Sequence, residues 1–426
     1  MIKKLVYGIC LLPILSNAQK TYIHAGELFD SENGKILKEQ TIIIQDNLIE
    51  SVEDGYLTPE DKNIKVVDLN EKTVYPGFID LHVHIESESN PNAYLQRFQL
   101  NPADIAFNST VFALTTLKAG FTTVRDVGGT GVNIAIRNAI NAGKVRGPRI
   151  FTSGKIISST GGHGDPTNGF RDDIKGDPGP KQGVVNSVDD AKKAVRQRYK
   201  NGADLIKITA TGGVISVAKS GQNPQFFENE IKAIVDTATD YGMKVAAHAH
   251  GDEGIARAVR AGVTTIEHGT LMSDSTMALM VERNVYLVPT ITAGKSVAEY
   301  AKIPGYYPAI VVPKAIAIGA QIQDTFGKAY KRGVPIAFGT DAGVFPHGDN
   351  AKEFFYMVEA GMPNVEALQS ATITAARLLD QENTIGQIAP GYYADIVASD
   401  ENALDNIKTL QKITFVMKDG KIYKHK

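Results

Sequence analysis

The chain has 426 residues, with 45 Lys and Arg, 47 Asp and Glu, and a formal net charge of −2. This balance argues against a protein that binds nucleic acid through a basic surface, since such a protein needs an excess of cationic side chains. A hydrophobic content of 43% with 22% charged residues excludes a disordered chain and an integral membrane protein. The length allows one to three domains.

The first 18 residues have the pattern of a secretory signal peptide. Two lysines precede an apolar run over residues 5–15, which is too short to span a bilayer as a helix. Ser16-Asn17-Ala18 then supplies a small-residue cleavage site. We therefore expect a secreted or periplasmic protein with no membrane segment after cleavage. The single cysteine, Cys10, would be removed with the signal.

Strand and turn sequence at the two chain ends predicts one small β domain. Residues 19–75 and 385–426 contain short β-rich runs, and Asp419-Gly420 is typical of a hairpin turn. A closing hairpin is hard to stabilise alone. We therefore expect the two ends to pair, in a small β-sandwich.

The central segment, residues 76–384, repeats a helical stretch that ends in Gly or Asn and is followed by a short apolar run. Gly and Asn suit the left-handed backbone that ends a helix. The runs do not alternate, which is typical of strands buried on both faces of a parallel sheet. The eight runs are 77–84, 121–128, 149–154, 203–211, 243–251, 263–269, 285–290 and 334–343. Their number predicts an α/β fold with a (β/α)₈ TIM barrel, and an open doubly wound sheet is the alternative.

Histidines and other polar residues cluster at the C-terminal ends of these predicted strands. Side chains alternate along a strand, so His82 and His84 face the same side. The later runs carry Lys207, His248, His250, His268 and Asp341. Barrel enzymes place their active sites at this end, and imidazoles with carboxylates suit zinc or a similar divalent cation. From the residues alone, the number of metal ions stays open.

As a set, these motifs resemble the amidohydrolase superfamily over nearly the whole chain. The stretch PGFIDLHVH at 76–84 is similar to the opening metal motif of that superfamily. The resemblance implies two divalent metal ions, which we expect to be zinc. It assigns the first ion to His82, His84 and Asp341, and the second ion to His248 and His268.

The resemblance also implies that Lys207 is N-carboxylated and bridges the two metals. Burial and nearby positive charge lower the pKa of a lysine, and the neutral amine can then take up CO₂. A metal-activated hydroxide would attack the substrate, with Asp341 accepting its proton and passing it to the leaving amine.

Three loop stretches resemble a branch of the superfamily that contains dipeptidases, carboxypeptidases and hydrolases of N-acyl amino acids. They are SSTGGHGDP at 158–166, ATGGVIS at 210–216 and GTDAGVFPHGDN at 339–350. Loop histidines meet the substrate in such enzymes. We therefore expect His163 to be catalytic and to bind the substrate carbonyl or carboxylate, and His250 and His347 to contact the substrate as well.

Two further pairs of residues have simpler interpretations. Arg125 and Asp126, at the end of the second predicted barrel strand, are expected to form a structural ion pair, with a functional role as the alternative. Tyr306 and Tyr307 lie in a Pro/Gly loop after the seventh strand, where we expect them to be exposed rather than to cover the site.

These features predict a secreted binuclear amidohydrolase that cleaves the amide bond of dipeptides or N-acyl amino acids. A lactonase or phosphotriesterase on the same metal site is one alternative. A deaminase or cyclic-amide hydrolase is another, although such relatives usually have one metal and lack the strand-4 lysine. A non-catalytic binding protein on this fold would have lost a ligand, and none is missing. No nucleic-acid partner is expected, and a homo-oligomer is allowed.

Overall fold

The structure is a computed structural model that describes residues 20–426. The predicted signal peptide lies outside the described residues. Within residues 20–426, no helix is long and apolar enough to cross a membrane.

The strands and helices alternate through the middle of the chain, whereas both ends are rich in strands. The strands are β1 (Lys20–Asp30), β2 (Lys35–Gln45), β3 (Leu48–Asp54), β4 (Lys65–Pro76), β5 (Phe78–Val83), β6 (Phe121–Asp126), β7 (Arg149–Thr152), β8 (Ile206–Thr209), β9 (Val245–Gly251), β10 (Thr265–Leu271), β11 (Tyr286–Val288), β12 (Ile396–Ser399), β13 (Phe415–Lys418) and β14 (Lys421–His425). The helices are α1 (Ala93–Gln99), α2 (Pro102–Lys118), α3 (Val132–Asn141), α4 (Asp172–Lys175), α5 (Val188–Asn201), α6 (Glu228–Asp240), α7 (Asp252–Ala261), α8 (Asp274–Arg283), α9 (Ile291–Tyr300), α10 (Val312–Lys331), α11 (Lys352–Glu359), α12 (Asn364–Ser370) and α13 (Ile373–Leu378), with a 3₁₀ helix at Ile407–Lys412.

Strands from both chain ends form one seven-stranded sheet in the order β14-β13-β12-β4-β1-β2-β3. The ends meet at β4, which pairs parallel with β1 and antiparallel with β12. The closing hairpin turns at Asp419 and Gly420, which both have positive φ. The strand pairing is continuous, so the hydrogen bonds join these strands into one sheet and do not by themselves show a sandwich. The reason is the length of β4, whose 12 residues accommodate β1 and, at their C-terminal end, β12.

The middle of the chain forms two parallel sheets, β5-β6-β7 and β11-β10-β9-β8. Seven of the eight runs predicted to be strands supply these sheets. The eighth run, residues 334–343, contains no regular strand. It is joined by isolated bridges, from Ile336 to Leu287 and from Ala342 to Val83. Pro335 has no N–H to donate, and such a residue interrupts a ladder. The sheet hydrogen bonds alone therefore do not give a closed barrel.

The six helices that the sequence predicts to end at Gly or Asn are each followed by such a residue in left-handed conformation. Gly202 ends α5 at φ 85°, and Asn284 ends α8 at φ 52°. At its other end, α5 is capped by Ser187, whose hydroxyl accepts a hydrogen bond from the backbone N–H of Asp190. These sharp ends turn each helix directly into the next strand.

Aromatic side chains pack at the N-terminal ends of the parallel strands. Phe78 begins β5 and Phe121 begins β6, and their ring centroids lie 5.8 Å apart. Phe354, on α11, contacts Phe78 at 5.2 Å and Phe338 at 4.3 Å. All four rings are fully buried, and each such pair contributes about 0.5–1.5 kcal/mol beyond its buried area. This aromatic cluster is thus one part of a core that extends along the strands and the helices packed on them.

Candidate functional site

Eight of the residues singled out in the sequence line one cavity of about 440 Å³. This volume lies within the range of small-molecule sites. The residues come from both parallel sheets and from the loops that follow their strands: His82, His84, His163, Lys207, His248, His250, His268 and Asp341.

The carboxylate of Asp341 lies at the centre of a cluster of imidazoles. Its Oδ1 is 3.3 Å from Nε2 of His84 and 3.5 Å from Nε2 of His82. His82, His268 and Asp341 are buried, and one ligand atom of each lies within 4.8 Å of the others. Oδ1 of Asp341 makes no hydrogen bond to any group of residues 20–426. An uncompensated buried oxygen of this kind needs a proton or a cation.

Hydrogen bonds to the protein determine which ring nitrogens face Asp341. Nδ1 of His84 lies 2.7 Å from the carbonyl oxygen of Gly128. Since a carbonyl only accepts, Nδ1 carries the proton and Nε2 carries the lone pair. Nδ1 of His82 donates in the same way to the Glu267 carboxylate over 2.7 Å. Three atoms with lone pairs therefore face one another, which is the donor arrangement of a bound cation.

A second group of histidines lies beside this cluster. Nε2 of His248 donates to the carbonyl oxygen of Gly212 over 3.2 Å and leaves Nδ1 as the lone-pair nitrogen. Nδ1 of His268 is 2.7 Å from the Thr290 hydroxyl. The rings of His248 and His268 are 4.7 Å apart. His268 and Thr290 have φ of 73° and 54°, a strained conformation for such residues, and strain of this kind concentrates at functional sites.

Burial keeps most of these imidazoles neutral, as metal ligation requires. Burial, assisted by the charge of Lys207, lowers the pKa of His82 to about 4. Burial also lowers the pKa of His250 to about 4. In His84 burial acts in the same direction, but the adjacent Asp341 carboxylate raises the pKa overall.

Lys207 lies on β8 at the cavity wall, where it is 2% exposed. Burial lowers the pKa of its ammonium to about 8, although the carboxylates of Glu267 and Asp341 act in the opposite direction. A pKa this close to neutrality gives Lys207 a larger fraction of neutral amine than an exposed lysine has.

The backbone of the first strand is tied to the segment that carries Asp341. Asp80 on β5 accepts hydrogen bonds from the backbone N–H of His82 at 3.0 Å and from that of Thr340 at 3.1 Å. Its second oxygen accepts from the Thr340 hydroxyl at 2.6 Å and from Asn350 at 2.8 Å. Asp80 thus fixes the spacing between the histidine pair and Asp341.

The role of Glu267 was not predicted from the sequence, and Arg125 pairs with Glu267 rather than with Asp126. Arg125 donates to Glu267 over 2.8 Å, whereas Asp126 accepts from the backbone N–H of Ile85 at 2.8 Å. The Arg125–Glu267 pair is buried, and the other Glu267 oxygen accepts from His82. In the sequence, only the position of Glu267 next to His268 pointed to a role for this carboxylate. Its pairing with Arg125 could not be predicted, because it depends on how β6 faces β10.

The expectation that Tyr306 and Tyr307 are exposed is wrong. Each is only 8% exposed, and Tyr307 lines the cavity. The hydroxyl of Tyr306 lies 3.2 Å from that of Ser89. The hydroxyl of Tyr307 is buried and has no hydrogen-bond partner among the described residues. Both rings pack on apolar residues of α9 and α10, a contact between distant segments that the loop sequence does not reveal.

His163 lies against the second group of histidines. Its ring stacks on His248 with centroids 4.3 Å apart, and burial lowers its pKa to about 3. Its Nδ1 is buried and without a partner within residues 20–426. A Cβ atom at Gly213 would lie 2.3 Å from this nitrogen, so the absence of a side chain at Gly213 makes room for the ring.

His347 is the one candidate residue that does not line the cavity. Its Nε2 lies 3.0 Å from the carbonyl oxygen of Ser87, and its Nδ1 lies 3.2 Å from the hydroxyl of Thr116. The ring stacks on Phe112 at 4.9 Å. Both nitrogens have protein partners, so the position of His347 does not support the expected contact with substrate.

Known proteins are similar to this chain in both sequence and fold. Residues 73–423 match the model of the Amidohydrolase family. The ochratoxinase of Aspergillus niger is 31% identical over 430 residues, which cover 96% of this chain and 87% of that protein.

Solved structures of peptidases are similar to this one over nearly the whole chain. A Xaa-Pro dipeptidase with methionine bound in its active site has a TM-score of 0.93 and 51% identity, covering 95% of this chain and 100% of that chain. A prolidase complexed with N-methylphosphonate-L-proline has a TM-score of 0.85 and 34% identity, and the match covers 96% of this chain and 100% of that chain. With a family model that spans most of the sequence and relatives that cover nearly all of it, the chain belongs to the Amidohydrolase family and is a hydrolase of amide C–N bonds.

Proposed function

We propose that this protein is a secreted, binuclear metal-dependent hydrolase that cleaves the amide bond of dipeptides or N-acyl amino acids. The observation that carries the proposal is the convergence of lone pairs from His82 and His84 on the unpartnered oxygen of Asp341. The dipeptidase, prolidase and ochratoxinase that the chain resembles support the choice of an amide substrate.

The donor set fits two divalent cations, with zinc preferred because the ligands are imidazoles and carboxylates without thiolate. His82, His84 and Asp341 would hold one cation, and His248 and His268 the other. When bound, the cations would polarise the scissile carbonyl and lower the pKa of a water molecule.

Lys207 would join the two halves of this site after carboxylation. Its neutral amine adds to the carbon of CO₂ and releases a proton, which leaves an anion with two oxygens. The lowered pKa and the burial of Lys207 favour the amine that this addition requires.

Asp341 would move the proton of the reaction. Burial raises the pKa of its carboxyl, but the neighbouring His82 and His84 hold it below its ordinary value overall. The carboxylate is therefore ionised at neutral pH and can accept the proton of the attacking water. It then delivers that proton to the leaving nitrogen.

His163 and His250 would bind the substrate beside this centre. Both line the cavity, and burial keeps both neutral. The unpartnered Nδ1 of His163 gives its ring an unused hydrogen-bonding capacity, which suits contact with a substrate carbonyl or carboxylate.

The two parallel sheets would close into a (β/α)₈ barrel through the irregular eighth run. The bridges of that run to Val83 and Leu287 support closure on one side. On the other side, Ile157 bridges to Ile208 and connects the segment after β7 to β8. On this proposal the barrel comprises residues 76–384, and the terminal sheet folds on itself as a small sandwich.

The proposed function is tested by measuring the hydrolysis of dipeptides and N-acyl amino acids by the zinc-loaded protein. Purified mature protein with zinc and bicarbonate would release amine from dipeptides and N-acyl amino acids. Asp341→Asn should lose about 10²–10⁴-fold in rate, as expected for loss of a general base. Asp236→Asn is the control, since Asp236 forms an exposed ion pair with Lys232. Metal binding without release from any amide would contradict the proposal.

The proposed secretion has its own measurement. Expression of the full chain in a Gram-negative host should give a periplasmic protein that begins at Gln19, as read by N-terminal sequencing. A cytoplasmic product that retains the first 18 residues would contradict it.

A further inference from the structure

The cavity has a second wall that the proposed chemistry does not use. The part of the lining that comes from α9 and α10 is entirely apolar: Ala293, Gly294, Val297, Ile318 and Ile322. Val214 and Ile215, from the loop after β8, extend this wall. The apolar surface thus borders directly on the polar centre.

Close helix packing makes this wall rigid. Gly294 on α9 faces α10 so closely that a Cβ atom there would lie 2.7 Å from Ile322. A Cβ atom at Gly319 on α10 would lie 2.3 Å from Ala298. The two helices meet through glycine, and a contact of this kind leaves little space for adjustment.

The loop that extends the wall is fixed from both sides. The ammonium of Lys314 donates to the carbonyl oxygens of Gly213, Ser216 and Ala218 at 3.1, 2.8 and 2.8 Å. From the opposite side of the cavity, the Tyr94 hydroxyl donates to the carbonyl oxygen of Ile215 over 2.5 Å. The apolar side chains of this loop are therefore held in place before a substrate enters.

We propose that this wall, defined by Val214, Ile215, Val297, Ile318 and Ile322, is the specificity pocket for a large apolar side chain next to the scissile amide. An aspartate or lysine side chain would lose hydration against these five uncharged residues, and the charged residues Glu88, Arg97 and Asp165 that also line the cavity are not among them. A methionine, leucine or phenylalanine side chain would instead bury apolar surface. The inference rests on the proposed function and narrows its substrate class.

Substitutions at Val297 test the pocket. The zinc-loaded parent should hydrolyse N-acetyl derivatives of methionine, leucine and phenylalanine about 10- to 100-fold more efficiently, in kcat/KM, than those of aspartate and lysine. The same order should hold for the dipeptides glycyl-methionine, glycyl-aspartate and glycyl-lysine, in which the tested side chain lies on the same side of the scissile amide. Val297→Phe fills the pocket and should remove the preference, whereas Val297→Ala enlarges it and should shift the preference toward phenylalanine.

The matched control is Ile316→Ala. Ile316 lies on α10, is 50% exposed and does not line the cavity, so this variant should keep the order of substrates. If Val297→Phe fails to fold, the substrate preference of Val297→Ala compared with that of the parent still tests the pocket.

The possible outcomes separate the two proposals. Hydrolysis without an apolar preference, or with a preference that Val297 variants leave unchanged, would overturn the pocket but not the amide hydrolase. If no amide is hydrolysed, the proposed function fails. Calorimetric titration with free methionine, aspartate and lysine then decides the pocket. The pocket is supported if methionine binds more tightly than aspartate and lysine and if Val297→Phe loses this difference. Equal binding of the three amino acids overturns the pocket.

Discussion

The carboxylate of Glu267 accepts a hydrogen bond from Nδ1 of His82 over 2.7 Å. His82 lies on β5 of one parallel sheet and Glu267 on β10 of the other, so the contact joins the sheets inside the fold. It also fixes the tautomer of His82 and directs Nε2 toward Asp341. A group that never touches substrate thus determines the donor atom at the candidate metal centre.

Replacing Glu267 by Gln should weaken metal binding. Loss of such an orienting partner typically reduces metal affinity about 10- to 100-fold. The change also removes the counter-charge of buried Arg125, and it should lower the free energy of unfolding by about 3 kcal/mol. Competition with a zinc chelator measures the affinity, and urea unfolding of the metal-free protein measures the stability.

The control for this variant is Glu253→Gln. Glu253 forms an exposed pair with Arg257 at the same 2.8 Å distance, and such pairs contribute only about 0.3–0.5 kcal/mol. Equal zinc affinity in Glu267→Gln and the parent would show that the hydrogen bond to His82 is unimportant for the centre.

The same ion pair predicts how stability depends on pH. Burial alone would raise the pKa of Glu267, but Arg125 and the hydrogen bond from His82 hold it well below its ordinary value. In the unfolded chain its pKa returns to about 4.3. The contribution of Glu267 is therefore complete above that pH and is lost as the pH falls, because the unfolded chain then binds a proton that the folded chain does not.

Urea unfolding of the metal-free protein between about pH 5 and pH 3 measures this dependence. The free energy of unfolding of the parent should fall more steeply on acidification than that of Glu267→Gln. Parallel slopes for the two proteins would disprove the attribution to Glu267.

Thr290→Val should affect the second metal position in particular. The substitution keeps the size of the side chain but removes the hydroxyl that lies 2.7 Å from Nδ1 of His268. Zinc titration should then show one of two bound ions weakened by about 10- to 100-fold. Thr264→Val is the comparison, because Thr264 lies just before β10, the strand that carries His268, and does not line the cavity. If both ions bind as in the parent, Thr290 does not orient His268.

Gly213→Ala should reduce activity through His163. The added Cβ would lie 2.3 Å from Nδ1 of His163, so the ring must move off His248. A displacement of this size costs about 100-fold in kcat/KM when the group acts on substrate. In Gly179→Ala the added Cβ meets no atom within 4 Å, and its kinetics should equal those of the parent. Full activity in Gly213→Ala would remove His163 from the mechanism.

His347→Ala should affect stability rather than substrate binding. The substitution leaves the Ser87 carbonyl and the Thr116 hydroxyl without their partner and should cost about 1–3 kcal/mol. His250→Ala, at a cavity-lining residue, should instead raise KM for a dipeptide. A rise in KM for His347→Ala as large as that for His250→Ala would restore His347 as a substrate contact.

The sequence by itself determined the positions of seven of the eight predicted strands and the polar residues at their ends. Helices ending at Gly202 or Asn284 and apolar runs without alternation are local properties, and so they could be read from the chain. The pairs His82–His84 and His248–His250 could be assigned to single faces for the same reason, since strand side chains alternate with a period of two.

Only the tertiary structure decided which side chains meet across the fold. The pairing of Arg125 with Glu267, the burial of Tyr307 and the separation of His347 from the cavity all involve residues distant in sequence. The single terminal sheet likewise depends on how far β1 and β12 extend along β4. Local patterns fix what one segment can form, but these contacts depend on how the segments pack together, and packing is a property of the whole chain.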